Sequence, residues 1–343
     1  LISNYLLSKM KNIYLITASK KHKNKFNKNM KLIFPISDFW ESQNRMLKYL
    51  ICIFLLIKTI VSNRNSIIFS FQANLYSILI AKLFNIKIII RSNSAPAGWS
   101  SNFFKTFIFK TLLKKADKII VNSLDFKKQL YDKFKVSSEC IYNPLNKFEI
   151  LKLSQKKIRI SNSKNKDEIK LINIGRLVDQ KDQITLLKAI NEIKGKIKIK
   201  LTIIGRGMHK KMFENYIVKN QLKKIIKIVG FQKNPYPLIK EAEVFILSSK
   251  YEGLPNVLLE ALVLNKFVIS SDCPTGPSEI LSKGKGGLLF KIGDYKDLAN
   301  KILYYSKNKK DCNKKLKYSR DQLYRFSYKN NLKKYFDIIK RYT

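Results

Sequence analysis

Two cations in the second half of the chain are spaced to hold adjacent phosphates. Arg176 follows a short apolar run after one intervening glycine, and Lys181 comes a few residues later. A guanidinium offers a planar fork of N–H donors and an ammonium offers a mobile point charge, so together they suit a diphosphate better than either does alone. Taken singly, each is more often a solvated surface cation, so this interpretation depends on the residues around the pair.

Two carboxylates, Glu252 and Glu260, flank a Gly-Leu-Pro-Asn turn at 253–256 that leads into a predicted helix. The free backbone N–H groups at Asn256 and Val257 are placed to bind an anion at the start of that helix. Glu252 is predicted in the loop and Glu260 about one turn inside the helix, where both face one crevice and accept hydrogen bonds from sugar or ribose hydroxyls. Read alone, they are a loop charge and an acid favoured by the helix dipole. Arg176 and other polar residues also follow predicted strands, and this shared position favours the interpretation that both acids bind a ligand.

Glycines follow three apolar runs of the second half, at Gly175 beside Arg176, at Gly205, and at Gly230 with Phe231 beside it. Gly205 and Gly207 form half of a dinucleotide fingerprint without its third glycine, so a tight strand-to-helix turn is the plainer interpretation.

The remaining polar candidates carry less weight. Thr275 lies in the run 273–279, which is either a rigid turn before a helix or the source of a hydroxyl for a ligand. His22 and His209 lie in Lys-rich surroundings and are interpreted as surface residues. The four cysteines show no CxxC pairing, and no Asp-x-Asp occurs, so neither a disulfide framework nor a bound metal is expected.

These residues need a parallel sheet to bring them together. Short β-rich runs alternate with amphipathic segments, which is typical of parallel sheets covered by crossover helices. In the first half we predict strands at 13–17, 66–70, 86–91 and 118–122, and helices at 41–61, 74–83 and 102–115. In the second half we predict strands at 169–174, 200–204, 225–229, 243–247 and 266–270, and helices at 183–193, 209–219, 256–264, 295–305 and 330–339. Because ligands bind at the carboxyl ends of such strands, the candidate residues are expected to share one rim.

At 343 residues the chain is long enough for two domains. We predict a first domain over 1–150, a second over 168–310, and helices over 311–343 that return to the first. A polar, Lys- and Ser-rich stretch at 156–167 places the boundary near 145–168.

The charge balance is strongly basic, with 68 Lys and Arg against 24 Asp and Glu and a formal charge of +44. Such a field attracts phosphates, anionic lipid surfaces or nucleic acids. Compositional bias is the leading interpretation, an anionic membrane comes second, and nucleic acid comes last because no RNA-binding motif or zinc-finger spacing is present. The predicted helix at 41–61 either packs on a sheet, which we favour, or lies on a membrane; its apolar run is too short to span one.

The second half resembles glycosyltransferase family 4, a family of retaining enzymes with the GT-B fold. The likeness is carried by Gly-Arg-Leu at 175–177 with Gln-Lys at 180–181, Gly-Arg-Gly at 205–207, Val-Gly-Phe at 229–231, and the run 251–261 with its two acids. The runs 271–280 and 287–290 extend it, so that residues of about 170 to 295 match in order.

The resemblance implies two Rossmann-like α/β domains, with parallel sheets flanked by helices. It implies that Arg176 and Lys181 hold the donor diphosphate, that Glu260 binds the ribose and that Glu252 lies against the donor sugar. Backbone amides around Gly253, Leu254, Asn256 and Val257 would steady the sugar and phosphate.

The first half matches less closely, through 88–96, 116–118 and 143–144. The opening strand and glycine-rich loop of the family's N-terminal domain are not found, and Leu1 already lies in an apolar segment; a natural fragment or a truncated gene would explain both.

The expected function is therefore transfer of a sugar from a UDP-sugar to a cell-surface glycan precursor, with no cofactor beyond the donor. The expected acceptor is a lipid-linked oligosaccharide, capsule or lipopolysaccharide precursor, and the expected location is the cytoplasm or the inner face of the membrane. The alternatives are a nucleotide-sugar epimerase of related fold and a basic membrane- or nucleic-acid-binding protein with a degenerate site.

Overall fold

The computed structural model describes residues 1–20, 23–93, 99, 102–156 and 168–343. The chain divides into two compact units: Leu1–Pro144 with Lys329–Thr343, and Leu145–Tyr328. The predicted site residues all lie in the second unit. Most of the polar stretch at 156–167, the end of the segment at 88–96 and His22 fall outside the described residues.

The first unit is an α/β structure, in which the described residues before Leu145 form six short strands and six α-helices. Its strands are β1 (Tyr14–Ile16), β2 (Lys31–Ile33), β3 (Ile68–Ser70), β4 (Ile88–Ser92), β5 (Lys118–Val121) and β6 (Glu139–Cys140). Its helices are α1 (Ile2–Leu7), α2 (Phe39–Ser42), α3 (Arg45–Ser62), α4 (Asn74–Leu83), α5 (Phe103–Lys114) and α6 (Leu124–Phe134). The strands β3 to β6 form one parallel sheet in sequence order, and β1 and β2 form a separate parallel pair.

Local sequence marks the helix starts of this unit. The side chains of Asn44, Asn102 and Ser123 accept hydrogen bonds from backbone N–H groups in the first turns of α3, α5 and α6. The central strand β4 is buried at every position, as expected when helices or loops cover both faces of a parallel sheet.

The second unit contains a six-stranded parallel sheet. Its strands are β7 (Ile169–Ile174), β8 (Ile199–Ile204), β9 (Ile226–Val229), β10 (Val244–Leu247), β11 (Phe267–Ser271) and β12 (Leu288–Phe290). Its helices are α7 (Lys147–Ser154), α8 (Gln183–Glu192), α9 (Lys210–Lys219), α10 (Tyr236–Glu241), α11 (Asn256–Val263), α12 (Pro277–Ile280), α13 (Tyr295–Lys307) and α14 (Lys309–Asp321). The last helix of the chain, α15 (Tyr328–Lys340), lies almost entirely in the segment assigned to the first unit.

The strand order of this sheet is β12-β11-β10-β7-β8-β9. The chain builds outward from β7 in one direction through β8 and β9, then returns to the other side of β7 with β10. The point of return, between the ends of β7 and β10, is the crevice in which doubly wound sheets bind ligands.

The sequence predicted that the helices of residues 311–343 return to the first unit. Residues 311–328 belong instead to the second unit. Cys312, Leu316 and Ser319 of α14 are buried, and this helix packs against α11 and β11. Only Lys329–Thr343 joins the first unit, where Tyr335 is fully buried.

Candidate functional site

The loops at the carboxyl ends of β7 and β8 are held against each other by backbone hydrogen bonds. The Gly175 N–H donates to the Ile204 carbonyl at 3.0 Å, and the Leu177 N–H donates to the Arg206 carbonyl at 3.0 Å. A Cβ atom on Gly205 would overlap the carbonyl oxygen of Gly175. The glycine therefore permits a close approach of two backbones, and it fixes the loop that carries Arg176.

A second set of hydrogen bonds joins the loop after β7 to the loop after β10. The Gln180 side chain donates to the Tyr251 carbonyl at 3.0 Å, and the Lys250 N–H donates to the Gln180 carbonyl at 2.9 Å. The Ser248 hydroxyl donates to the Lys181 carbonyl at 2.9 Å. These contacts span the return point of the sheet, so the two loops form one wall of the crevice.

Lys181 and Glu252 form an ion pair within this wall. The Lys181 ammonium contacts Glu252 Oε1, and their side chains are only 16% and 9% exposed. The same carboxylate oxygen accepts a hydrogen bond from the Ser249 hydroxyl at 2.6 Å. Burial of both charges makes each dependent on the other, since an unpaired charge in such a place is strongly unfavourable.

Arg176 lies at the exposed end of the same wall. Its guanidinium donates to Gln180 Oε1 at 3.1 Å, and its carbonyl accepts from the Gln183 side chain at 3.0 Å. Gln180 thus orients the guanidinium with one end of its amide and ties the loop to Tyr251 with the other. The structure brings the two predicted cations and Glu252 into one continuous network.

The turn at 253–256 is supported from behind by the loop after β11. The buried Thr275 hydroxyl donates to the Glu252 carbonyl at 2.5 Å. Gly276 adopts φ of 86°, and a Cβ there would overlap the Gly253 carbonyl oxygen and lie 2.6 Å from Pro255 Cδ. Thr275 therefore shapes the Glu252 loop through its backbone.

The helix α11 begins immediately after this turn. No side chain caps its start at Pro255. Asn256 is exposed and Val257 is half-buried in the first turn, while Leu254 is buried. The helix start thus lies at the same edge of the sheet as Arg176 and Lys181.

Glu260 lies on the second turn of α11 and faces Tyr236 at the start of α10. Burial raises the pKa of the Glu260 carboxyl to about 7, against the lowering effect of the hydrogen bond that the Tyr236 hydroxyl donates to it. Burial, and then the nearby Glu260 charge, raise the pKa of Tyr236 as well. Glu260 is therefore placed on the side of the crevice formed by the segment after β9, and it does not take part in the Lys181 network.

Gly230 and Phe231 form the open side of this part of the rim. Apart from Gly230 itself and its two chain neighbours, no heavy atom of the described residues lies within 4 Å of a Cβ built on Gly230. Phe231 is 64% exposed, and the Arg206 guanidinium lies over its ring at 5.2 Å from the centroid. A flat surface is thus available next to an unobstructed backbone.

Sequence reasoning missed four residues of this arrangement: Gln180, Tyr236, Ser248 and Ser249. Gln180 stands in the motif that was recognised, and the two serines follow β10 directly, so their place at the rim was visible in the sequence. Tyr236 gave no such indication, because its contact with Glu260 joins two helices that only the sheet order brings together.

The chain matches known proteins in this region. The sequence model of the family described as glycosyl transferases group 1 matches residues 154–322. An uncharacterized glycosyltransferase of Methanocaldococcus jannaschii is 38% identical over 221 residues, which are 60% of this chain and 53% of that protein. The chain thus spans about half the length of that relative.

A second relative is the N-acetylgalactosamine-N,N'-diacetylbacillosaminyl-diphospho-undecaprenol 4-alpha-N-acetylgalactosaminyltransferase of Campylobacter jejuni. It is 29% identical over 266 residues, which are 73% of this chain and 70% of that protein.

The fold also matches solved structures. The Anabaena protein HepE in complex with UDP-glucose superposes with a TM-score of 0.77 at 13% identity, covering 99% of this chain and 94% of that one. At this identity the likeness concerns the fold alone, and it confirms the predicted α/β architecture. Residues 154–322 therefore match the family of group 1 glycosyl transferases, and the chain has the fold of the GT-B glycosyltransferases.

Proposed function

We propose that the protein is a retaining glycosyltransferase that moves a sugar from a UDP-sugar to a glycan precursor. The observation that carries the proposal is the network of Arg176, Lys181 and Glu252 at the return point of the second sheet. It combines two cations for a diphosphate with a carboxylate for a sugar hydroxyl within one wall of the crevice. The chain spans about half the length of the Methanocaldococcus relative. The activity of the whole protein is therefore part of this proposal.

In this proposal the donor diphosphate binds Arg176 and Lys181. The guanidinium supplies paired N–H donors, and the ammonium supplies a point charge. The helix start at Asn256 and Val257 adds backbone N–H groups at the same edge of the sheet. Before the donor arrives, Glu252 balances the charge of Lys181; when the diphosphate takes over that role, Glu252 accepts hydrogen bonds from the sugar.

The nucleoside would extend toward the segment after β9. Glu260 accepts hydrogen bonds from the ribose hydroxyls, for which its carboxylate form is the better acceptor. The base lies against the open backbone at Gly230 and beside the exposed Phe231 ring. The choice of uracil is supported by the UDP-glucose complex of HepE, whose fold is similar.

Transfer would proceed by attack of an acceptor hydroxyl oxygen on the anomeric carbon of the donor sugar. The bond from that carbon to the diphosphate oxygen breaks, UDP leaves with the electron pair, and the acceptor proton passes to a diphosphate oxygen on the same face. The protein contributes position and electrostatic stabilisation of the departing diphosphate through Arg176 and Lys181.

The acceptor class we propose is a lipid-linked oligosaccharide, capsule or lipopolysaccharide precursor on the cytoplasmic side of a membrane. It is supported by the Campylobacter relative, whose name specifies a diphospho-undecaprenol-linked substrate.

A donor panel tests the proposal. Melting temperature is measured with UDP-, GDP- and ADP-sugars, because a ligand that binds only the folded state stabilises it in proportion to the logarithm of its concentration over Kd. We expect a shift with UDP-sugars, its loss in Lys181→Ala, and no change in the control Lys188→Ala, which removes an exposed cation of α8.

Labelled UDP-hexoses and UDP-N-acetylhexosamines are then incubated with a bacterial lipid extract. The expected product is an extractable glycolipid with the donor's anomeric configuration. A modified nucleotide sugar formed without acceptor would assign an epimerase instead, and the absence of any nucleotide-sugar binding would refute the proposal.

A further inference from the structure

Three neighbouring helices of the first unit expose apolar side chains to solvent. In α3 the exposed residues Met46, Leu50 and Phe54 recur every four positions, so they form one stripe along the helix. Leu79 and Leu83 do the same in α4, and Phe103 and Phe107 do so in α5. Phe103 is 87% exposed and Phe54 is 61% exposed, so these are not partly covered core residues.

The three stripes belong to one layer of the unit. The helix α4 connects β3 to β4, and α5 connects β4 to β5, within a parallel sheet of that order. Right-handed crossovers place both helices on the same face of the sheet. The helix α3 packs against α4, and α4 packs against α5. We call the outer surface of this layer, formed by the solvent sides of α3, α4 and α5, the α3–α5 face.

Charge on the same segment is of one sign. Residues 42–116, which include all three helices, contain eleven Lys and Arg and not one Asp or Glu. Several of these cations continue the apolar stripes at helical spacing: Lys58 follows Phe54, and Lys110 and Lys114 follow Phe107. The chain's basic composition alone does not produce this, because the next helix, α6, carries Asp125 and Asp132.

We propose that the α3–α5 face docks on the surface of an anionic lipid bilayer. Helices with an apolar stripe and Lys or Arg beside it lie in the interface, where the apolar side chains enter the acyl boundary and the ammonium groups reach the head groups. Each Lys near an anionic surface strengthens binding by about 1 kcal/mol, or about fivefold. No helix within the described ranges is both long and apolar enough to cross a bilayer, so docking parallel to the surface is the arrangement that fits these helices.

Two other occupants fit the charges less well. A second copy of the chain in a symmetric contact would bring the same patch against itself, so exposed cations such as Lys58 and Lys114 would meet no carboxylate from within residues 42–116 of either copy. A nucleic acid would match the charge, but its phosphates offer nothing to rows of exposed Met, Leu and Phe side chains. The lipid surface accounts for both properties, and its binding does not depend on the proposed sugar transfer.

Flotation of the full chain with lipid vesicles tests the inference. We expect binding to vesicles that contain phosphatidylglycerol, little binding to pure phosphatidylcholine, and weakening with salt. The variant Lys110→Gln/Lys114→Gln should bind about 25-fold more weakly. The variant Leu50→Ser/Phe54→Ser/Phe107→Ser should lose about tenfold or more through its apolar contacts.

Matched controls come from the second unit. The variant Phe148→Ser/Met208→Ser removes two apolar side chains that are as exposed as those of the α3–α5 face, and it should bind vesicles like the parent. Unchanged melting curves and unchanged UDP-sugar binding in every variant would separate docking from folding and from the donor site.

Three results would overturn the inference. The first is equal vesicle binding by the parent and both α3–α5 variants. The second is a concentration-dependent dimer that the triple serine variant abolishes, which would assign the face to a second copy. The third is preferential binding of single- or double-stranded oligonucleotides that displaces the vesicles.

Discussion

Lys181 and Glu252 are 71 residues apart in the sequence and form a largely buried ion pair at the edge of the second sheet. Lys181→Met should lower the free energy of unfolding by about 3 kcal/mol, because it leaves the Glu252 carboxylate buried without its cation. Urea denaturation at neutral pH measures this loss. The double variant Lys181→Met/Glu252→Gln should be more stable than Lys181→Met alone. Equal stability of the two would show that the pair is not coupled.

Substitution of Glu252, the acid of this pair, should affect donor binding and sugar transfer to different extents. In Glu252→Gln we expect UDP itself to bind within a few-fold of the parent affinity, since Arg176 and Lys181 remain, while transfer is reduced by about a hundredfold or more. Calorimetric titration with UDP and a single-turnover assay with the UDP-sugar give the two numbers. If UDP binding and transfer fell by the same factor, Glu252 would act through Lys181 rather than on the sugar.

Gly205 and Gly230 provide a matched pair of glycines at the carboxyl ends of neighbouring strands. Gly205→Ala should destabilise the protein by about 2 kcal/mol or more, because its Cβ would overlap the Gly175 carbonyl and displace the loop that carries Arg176. Gly230→Ala should change stability by less than about 0.5 kcal/mol, since the space around it is open. The Gly230 variant should nonetheless weaken UDP binding if the base lies against this backbone. Thermal melting with and without UDP distinguishes the two effects.

Glu260 predicts a pH dependence of stability with a definite sign. The folded state raises its pKa from 4.5 to about 7. Between these values the unfolded chain has released the proton and the folded protein retains it, so stability falls as pH rises and the loss is complete above about pH 7. Glu260→Gln should remove this contribution and raise stability at pH 8 by at most about 3 kcal/mol.

Donor binding should respond to Glu260 in the opposite direction. Because the carboxylate accepts ribose hydrogen bonds better than the acid does, UDP affinity should rise as pH increases through 7, and Glu260→Gln should flatten this rise. Titrations at pH 6 and pH 8 check it. A parent protein whose UDP affinity is independent of pH would count against a ribose contact at Glu260.

The contacts of Arg91 predict that its substitution destabilises α15, the last helix of the chain. Its guanidinium is buried and donates to the Tyr335 hydroxyl at 2.6 Å and to Asn143 Oδ1 at 2.7 Å. Arg91→Met should therefore cost about 2 kcal/mol and loosen α15, since it removes charge-assisted bonds that hold Tyr335. Hydrogen exchange at 329–340 should accelerate in this variant but not in Arg341→Met, which changes an exposed residue of the first unit.

Much of the fold followed from local pattern. The strands at 169–174 and 243–247 and the helix at 74–83 were predicted within one residue of the observed bounds, because apolar runs between Gly, Pro and Ser mark buried parallel strands. Helix α6 was missed although Ser123 caps it and buried Phe126, Leu130 and Phe134 follow at helical spacing. The three-residue strands β2 and β12 were also missed, since so short a run has no period of its own.

By itself the sequence determined the α/β class and the order of the second sheet's first five strands along the chain, and it predicted a set of residues for binding a nucleotide sugar. Only the tertiary structure decided which of them meet: Lys181 with Glu252, Glu260 with Tyr236, and Thr275 with the backbone behind the Glu252 loop. The tertiary structure also decided that α3, α4 and α5 expose apolar stripes. The sequence of this segment, residues 42–116, contains no Asp or Glu. The physical reason is that residue type and periodicity fix local conformation, whereas these contacts depend on the order in which strands are laid side by side, which brings distant parts of the chain to the same edge.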